Sequence, residues 1–112
     1  MEDQLVLVLT TLPATHDVAA FARALVDERL AACVNLLPPM MSCYRWQGRV
    51  HEDAEQQLIV KTTRSRVGSL QHRVSALHPC EVPEFLVLPV VEASKAYGAW
   101  LRESVDPAAT SS

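Results

Sequence analysis

His78-Pro-Cys-Glu-Val-Pro-Glu84 separates two stretches of different hydrophobic period, and its prolines limit what each can be. A proline lacks a backbone donor and pushes the preceding residue out of the helical region, so His78 and Val82 are expected to be extended and the segment to form a rigid strap. Upstream, Val67, Leu70, Val74 and Leu77 recur at helical spacing. Downstream, Phe85-Leu-Val-Leu-Pro-Val-Val91 reads as a short, buried strand. The strap turns a helix into a strand, and it gathers an imidazole, a thiol and carboxylates between them.

Similar patterns organise the rest of the chain. Leu5-Val-Leu-Val-Leu-Thr-Thr11 is apolar without alternation, as a central strand covered on both faces would be, and Pro13 is expected to end it. Val18, Phe21, Ala22, Leu25 and Val26 make a helical stripe, with Arg23, Asp27 and Glu28 outside it. Residues 32–37 read as a second strand that Pro38-Pro39 interrupts; the extended pattern resumes over residues 41–46, and Gln47-Gly48 turns it into a strand over residues 49–62. Ser94 can cap a last helix in which Tyr97 and Leu101 share a face, and residues 106–112 read as a frayed tail. The resulting order predicts an α+β fold, a ferredoxin-like βαββαβ sandwich with an additional C-terminal helix and an unusually long hairpin between its second and third strands. Met40, Met41, Tyr44 and Trp46 lie in the outer half of that hairpin, where exposed edges invite aggregation unless another chain covers them.

With 112 residues and 49% hydrophobic content, the chain fits a single domain over residues 1–112. Its longest apolar run, Leu5 to Leu9, is far too short for a membrane span, and no basic segment precedes it; a cytoplasmic protein without a membrane partner is expected. Cys33, Cys43 and Cys80 make an odd set without a C-x-x-C pair, against both a disulfide framework and a zinc knuckle. A formal charge of -3 and a pI near 5.7 give no global field for nucleic acid, and Lys61, Arg64 and Arg66 form only a local basic group. Gly48, Gly68 and Gly98 are isolated, and no H-E-x-x-H or G-x-S-x-G occurs. Glu52, Asp53 and Glu55 read as a solvated face, so no enzymatic activity is expected.

Five motifs then occur in order: Leu30-Ala-Ala-Cys-Val-Asn-Leu-Leu-Pro38, Tyr44-x-Trp46-x-Gly48, Lys61-Thr62-Thr63, His78-Pro-x-Glu-Val-Pro-Glu84 and Leu88-Pro-Val90. Together they resemble the CutA divalent-cation-tolerance family over roughly residues 6–101. The resemblance implies a subunit similar to PII signalling proteins, assembled as a tight homotrimer by intersubunit strand pairing. It also implies a part in the response to divalent metal ions such as copper, by metal binding or by signalling. Two other classes stand beside that one: a trimeric scaffold for partner proteins, and a small-ligand or nucleotide sensor with sites in the intersubunit grooves.

Members of the family proposed to bind copper carry a cysteine at the end of the first strand and two histidines before the strap proline. The matching positions here are Thr10, Leu77 and His78, so most of that donor set is absent. Cys80 stands where the family usually has tyrosine, two residues from His78, and in an extended segment both side chains would lean to one side. His78 and Cys80 are therefore the candidate ligands for copper or another divalent metal, with helix capping and packing as their alternative roles. Cys33 is expected to pack in the core and Cys43 to pack on the hairpin. Tyr44 and Trp46 share one face of the hairpin, as do Glu55 and Lys61. These four are the candidate groove or interface residues: either they frame a small anionic ligand, or the aromatics seal an interface while Glu55 pairs with Lys61 or a neighbour's base.

Overall fold

The computed structural model places a long antiparallel pair at the centre of the fold, and the structure is described for residues 2–108. Strand β1 (Leu5–Pro13) runs against β4 (Arg49–Thr63) in register from Leu5↔Thr63 to Pro13↔Glu55. Between them in sequence come helix α1 (Val18–Asp27), β2 (Cys33–Leu36) and β3 (Met40–Trp46). A 3-10 turn (Arg64–Arg66), helix α2 (Val67–Leu77), β5 (Leu86–Pro89) and helix α3 (Lys95–Val105) follow β4. The sheet order β2-β4-β1-β5, with β3 also on β4, is the split βαβ arrangement expected from the sequence.

One face of the sheet carries the core because the strands alternate. Val6, Val8 and Leu12 of β1 and Leu58 and Val60 of β4 are fully buried against Val18, Phe21 and Leu25 of α1 and Leu70 and Val74 of α2. Fully burying side chains of this size contributes about 1.5–3 kcal/mol each, so this face drives folding. Asp17 caps α1 by accepting from the Ala20 amide, and Ser94 caps α3 by accepting from the Tyr97 amide, the latter as expected. Helix α1 closes with paired bonds from the Leu30 amide to the Leu25 carbonyl and the Arg29 amide to the Val26 carbonyl. Arg29 takes the left-handed conformation there, φ 58°, where glycine is usual, and its guanidinium donates to the Ser104 carbonyl near the end of α3.

The opposite face is less covered than the sequence suggested. Leu7 and Leu9 of β1 are half-buried, and α3 lies mainly over β4, with Tyr97 near Lys61 and Gly98 near Leu5. The stretch expected as a buried strand is four residues long, with Leu86 54% and Leu88 41% exposed and Val91 97% exposed beyond it. The reason is positional: β5 is an edge strand, and only its Val87 side packs on the helical core. Val26, assigned to the α1 stripe, is also exposed, and Cys33, expected in the core, is half-buried on the open face opposite Lys61. Cys43 is exposed on the ribbon.

Beyond Glu55 the outer half of β4 has, among the described residues, β3 as its only strand neighbour, so the hairpin leaves the body as a two-stranded ribbon. Gln47 and Gly48, at φ 51° and 77°, form the two-residue turn whose twist suits a hairpin. Alternation along β4 puts Arg49, His51, Asp53, Glu55, Gln57, Ile59 and Lys61 on one continuous face, the open one. Helix α3 ends at Val105; of the tail expected over 106–112, residues 109–112 lie outside the described residues.

Candidate functional site

The strap is fastened to the sheet by the His78 ring. His78 is extended, as its proline requires, and its own amide closes α2 on the Val74 carbonyl, but the chain bends through residues 79–82 and does not run straight. The Cys80 amide lies 3.0 Å from Nδ1 and can only donate, so Nδ1 accepts. Nε2 therefore carries the proton and donates to the Thr11 carbonyl at 2.6 Å. That carbonyl is accessible because β5 pairs with β1 only from Val6 to Leu9. At the strap's far end Gln57 Nε2 donates to Glu84 Oε2 at 2.8 Å and to the Thr10 carbonyl at 2.8 Å.

This arrangement does not fit His78 as a metal ligand in the conformation described. Both ring nitrogens are engaged, whereas a ligating imidazole needs a free lone pair. Among the described residues no group of three or more His, Cys, Asp or Glu side chains is placed to hold a metal ion. Cys80 is exposed on the strap. Thr10 is fully buried, and its hydroxyl has no hydrogen-bond partner among the described residues.

The hairpin candidates separate into two places. Tyr44 stacks on His51 with ring centroids 5.5 Å apart, and its hydroxyl donates a very short hydrogen bond to Asp53. That bond to a carboxylate, with a little desolvation and the nearby Asp53 and Glu55 charges, pushes the phenol up to about 12. Trp46 sits next to the turn, opposite Arg49, and its carbonyl meets His51 Nε2 at 3.3 Å. Lys61 is twelve residues along β4 from Arg49, roughly 40 Å at the usual strand rise, so Trp46 and Lys61 cannot share a site within one chain. Lys61 makes no ion pair with Glu55; its ammonium lies 5.9 Å from the centre of the Tyr97 ring, and Trp100 leans against that ring at 5.3 Å. An open cleft of about 430 Å³ between the end of α1 and the start of α2 is lined by Glu28, Leu30, Gly68, Ser69, His72 and Arg73, none of them among the candidates.

Asp53, Gln57 and Tyr97 are the contacts that sequence reasoning missed. Asp53 and Gln57 were visible as polar residues on the odd-numbered face of β4, but their partners come from other segments. No local pattern brings Tyr97 to Lys61, because that contact depends on how α3 crosses the sheet.

Fold and motifs together define a small α+β protein of the PII-like class. Residues 6–104 match the CutA1 divalent ion tolerance protein family. A relative named divalent-cation tolerance protein CutA, from Thermus thermophilus, is 52% identical over 97 residues, covering 87% of this chain and 94% of that protein. A solved structure from the same organism superposes with a TM-score of 0.86 at 50% identity, covering 89% of this chain and 97% of that one. The structure described as PII-like protein CutA from Nostoc superposes with a TM-score of 0.83 at 36% identity, covering 90% of this chain and 97% of that one. Protein CutA of Homo sapiens is 45% identical over 82 residues, 73% of this chain, but the chain spans 46% of that longer protein. The chain belongs to the CutA1 divalent ion tolerance family.

Proposed function

We propose that this protein is a cytoplasmic, non-enzymatic homotrimer that takes part in the tolerance of divalent metal ions such as copper, with assembly through the open sheet face as the basis of its activity. The observation that carries the reading is that this face runs without a break from Leu86, Leu88, Leu7, Leu9 and Ile59 onto the Tyr44 and Trp46 side of the ribbon, largely uncovered. A face that exposes apolar residues toward β5 and again at the ribbon, and is bordered by the edges of β3 and β5, is one that another chain can cover. A second copy supplies such cover, and the family's association with trimers makes three copies the preferred closure. Sedimentation velocity is the test. The parent is expected to run as one trimer down to micromolar concentration, and Leu88→Glu to weaken assembly by several kcal/mol because each subunit would carry an unpaired charge into a dry contact. A folded monomer as the parent's main species would refute the reading.

A second reading concerns ligands. Lys61 lies over the exposed Tyr97 ring, which Trp100 flanks, a setting suited to a flat anion between subunits, and metabolites retained through purification would reveal it. Direct contact with a soft metal falls to Cys80 with His78, and it requires the imidazole to give up one of its present hydrogen bonds.

A further inference from the structure

Two half-buried charges on the open face are left without a counter-charge by their own chain. Among the described residues the half-buried arginines, Arg29, Arg66, Arg73 and Arg102, each donate to a carbonyl or carboxylate. The half-buried carboxylates Asp3 and Glu84 each accept from a side chain. Lys61 and Glu55 are the exceptions. Lys61 has the Tyr97 ring beside it but no carboxylate, and Glu55 has neither a hydrogen bond nor an ion pair among the described residues. The sheet register explains this: Lys61 stands between Leu7 and Cys33, and Glu55 between Pro13 and Met40, so neither has a charged neighbour across the strands.

Nor can the two satisfy each other within one chain. They share the open face of β4 but lie six residues apart, about 20 Å, against the 4 Å or less of an ion pair. A chain that covered this face would strip water from both charges, and a buried charge is tolerated only where an opposite one meets it. We propose that Lys61 of each copy pairs with Glu55 of a neighbouring copy. The pair rests on the reading that further copies cover the open face, and it specifies how they meet: the root of one ribbon lies over the Lys61 end of the next subunit. Two separate patches of opposite sign suit a head-to-tail contact, and in a closed ring of three each subunit gives Lys61 to one neighbour and Glu55 to the other, so no charge is left over. The Tyr97 ring already attracts the Lys61 ammonium, which lessens the side-chain freedom that pairing removes.

Charge reversal on the full chain, read by sedimentation velocity, tests the pair. Lys61→Glu and Glu55→Lys each bring like charges together and are expected to raise the concentration at which the assembly dissociates by about tenfold or more. The double variant restores opposite charges at every contact and is expected to dissociate at a concentration closer to the parent's than either single variant does. Such recovery cannot come from repaired misfolding, because the double variant carries both substitutions. A double variant no better than the worse single one overturns the pair, whether or not the single variants fold. Glu55→Lys that assembles like the parent also overturns it, and is the result expected if Lys61 held a small anion instead. A parent that is itself monomeric refutes the covering copies and the pair together, whereas a trimeric parent without recovery refutes the pair alone.

Discussion

Thr10→Val is expected to make the protein more stable, although it removes a polar group from the middle of the sheet. Thr10 is fully buried on the helical face of β1, opposite Leu58, and its hydroxyl finds no partner among the described residues. A buried hydroxyl without a hydrogen bond costs about 1–3 kcal/mol in lost hydration. Valine keeps the branched shape and suits a strand at least as well, so about 1–2 kcal/mol of that cost should be recovered. For 112 residues, at about 2 cal/mol/K of unfolding entropy per residue, this corresponds to a melting point higher by about 4–8 °C. Thr62→Val is the internal control. Thr62 is equally buried, but its hydroxyl donates to the Leu30 carbonyl at 2.8 Å, so the same substitution there should destabilise by about 1–3 kcal/mol. Urea titrations at one fixed protein concentration would read both, with an unchanged slope showing that the denatured state is not altered. A loss of stability in Thr10→Val would show that the hydroxyl is hydrogen-bonded in solution and would refute the reasoning.

Two titrations test the electrostatics. In a Tyr97→Phe background, where one tyrosine remains, the Tyr44 phenol should ionise at about 12, and Asp53→Asn should bring it back toward 10; a midpoint that does not move would mean that the Asp53 bond does not form in solution. Asp3 is partly buried, which alone would raise its carboxyl, but hydrogen bonds from Ser65 and Thr63 and the Arg102 charge hold it below its usual 3.8. Because the folded value is the lower one, the stabilisation is complete above the unfolded carboxyl range and disappears as the pH falls through the folded value. Asp3→Asn should therefore lower stability at neutral pH by under about 1 kcal/mol and match the parent well below pH 3.8, and a gap of constant size across both conditions would contradict this.

The fold was legible in the sequence because its signals are local. Apolar runs, a helical stripe, the Gln47-Gly48 turn and the Ser94 cap each follow from residues close together, and the strands and helices lie within a few residues of where they were expected. Edge strands gave the main error. Nothing in Phe85-Leu-Val-Leu reveals that one side of β5 faces no helix of its own chain, so an apolar run read as buried is half exposed. The candidate sites were less legible. Alternation put Tyr44 and Trp46 on one face, and Glu55 and Lys61 on one face of β4, but face is not distance, and β4 is fifteen residues long. The prolines around Cys80 announced a constrained strap, but its fastening depends on a contact between His78 and Thr11, 67 residues apart in the chain.

Strand β4 serves as core strand at one end and ribbon at the other without a bulge or break between them, and this limits how the gene can change in length. Side chains alternate strictly along it, so inserting or deleting one codon near Glu55 would exchange the two faces of everything on one side of the change. Leu58, Val60 and Thr62 would turn outward, or the ribbon would present Val50 and Glu52 where His51 and Asp53 now stand. Residues added in matched pairs across Gln47-Gly48 would only lengthen the ribbon and leave every inner pairing in register. The hairpin tip is thus where relatives can differ in length, and there in even steps.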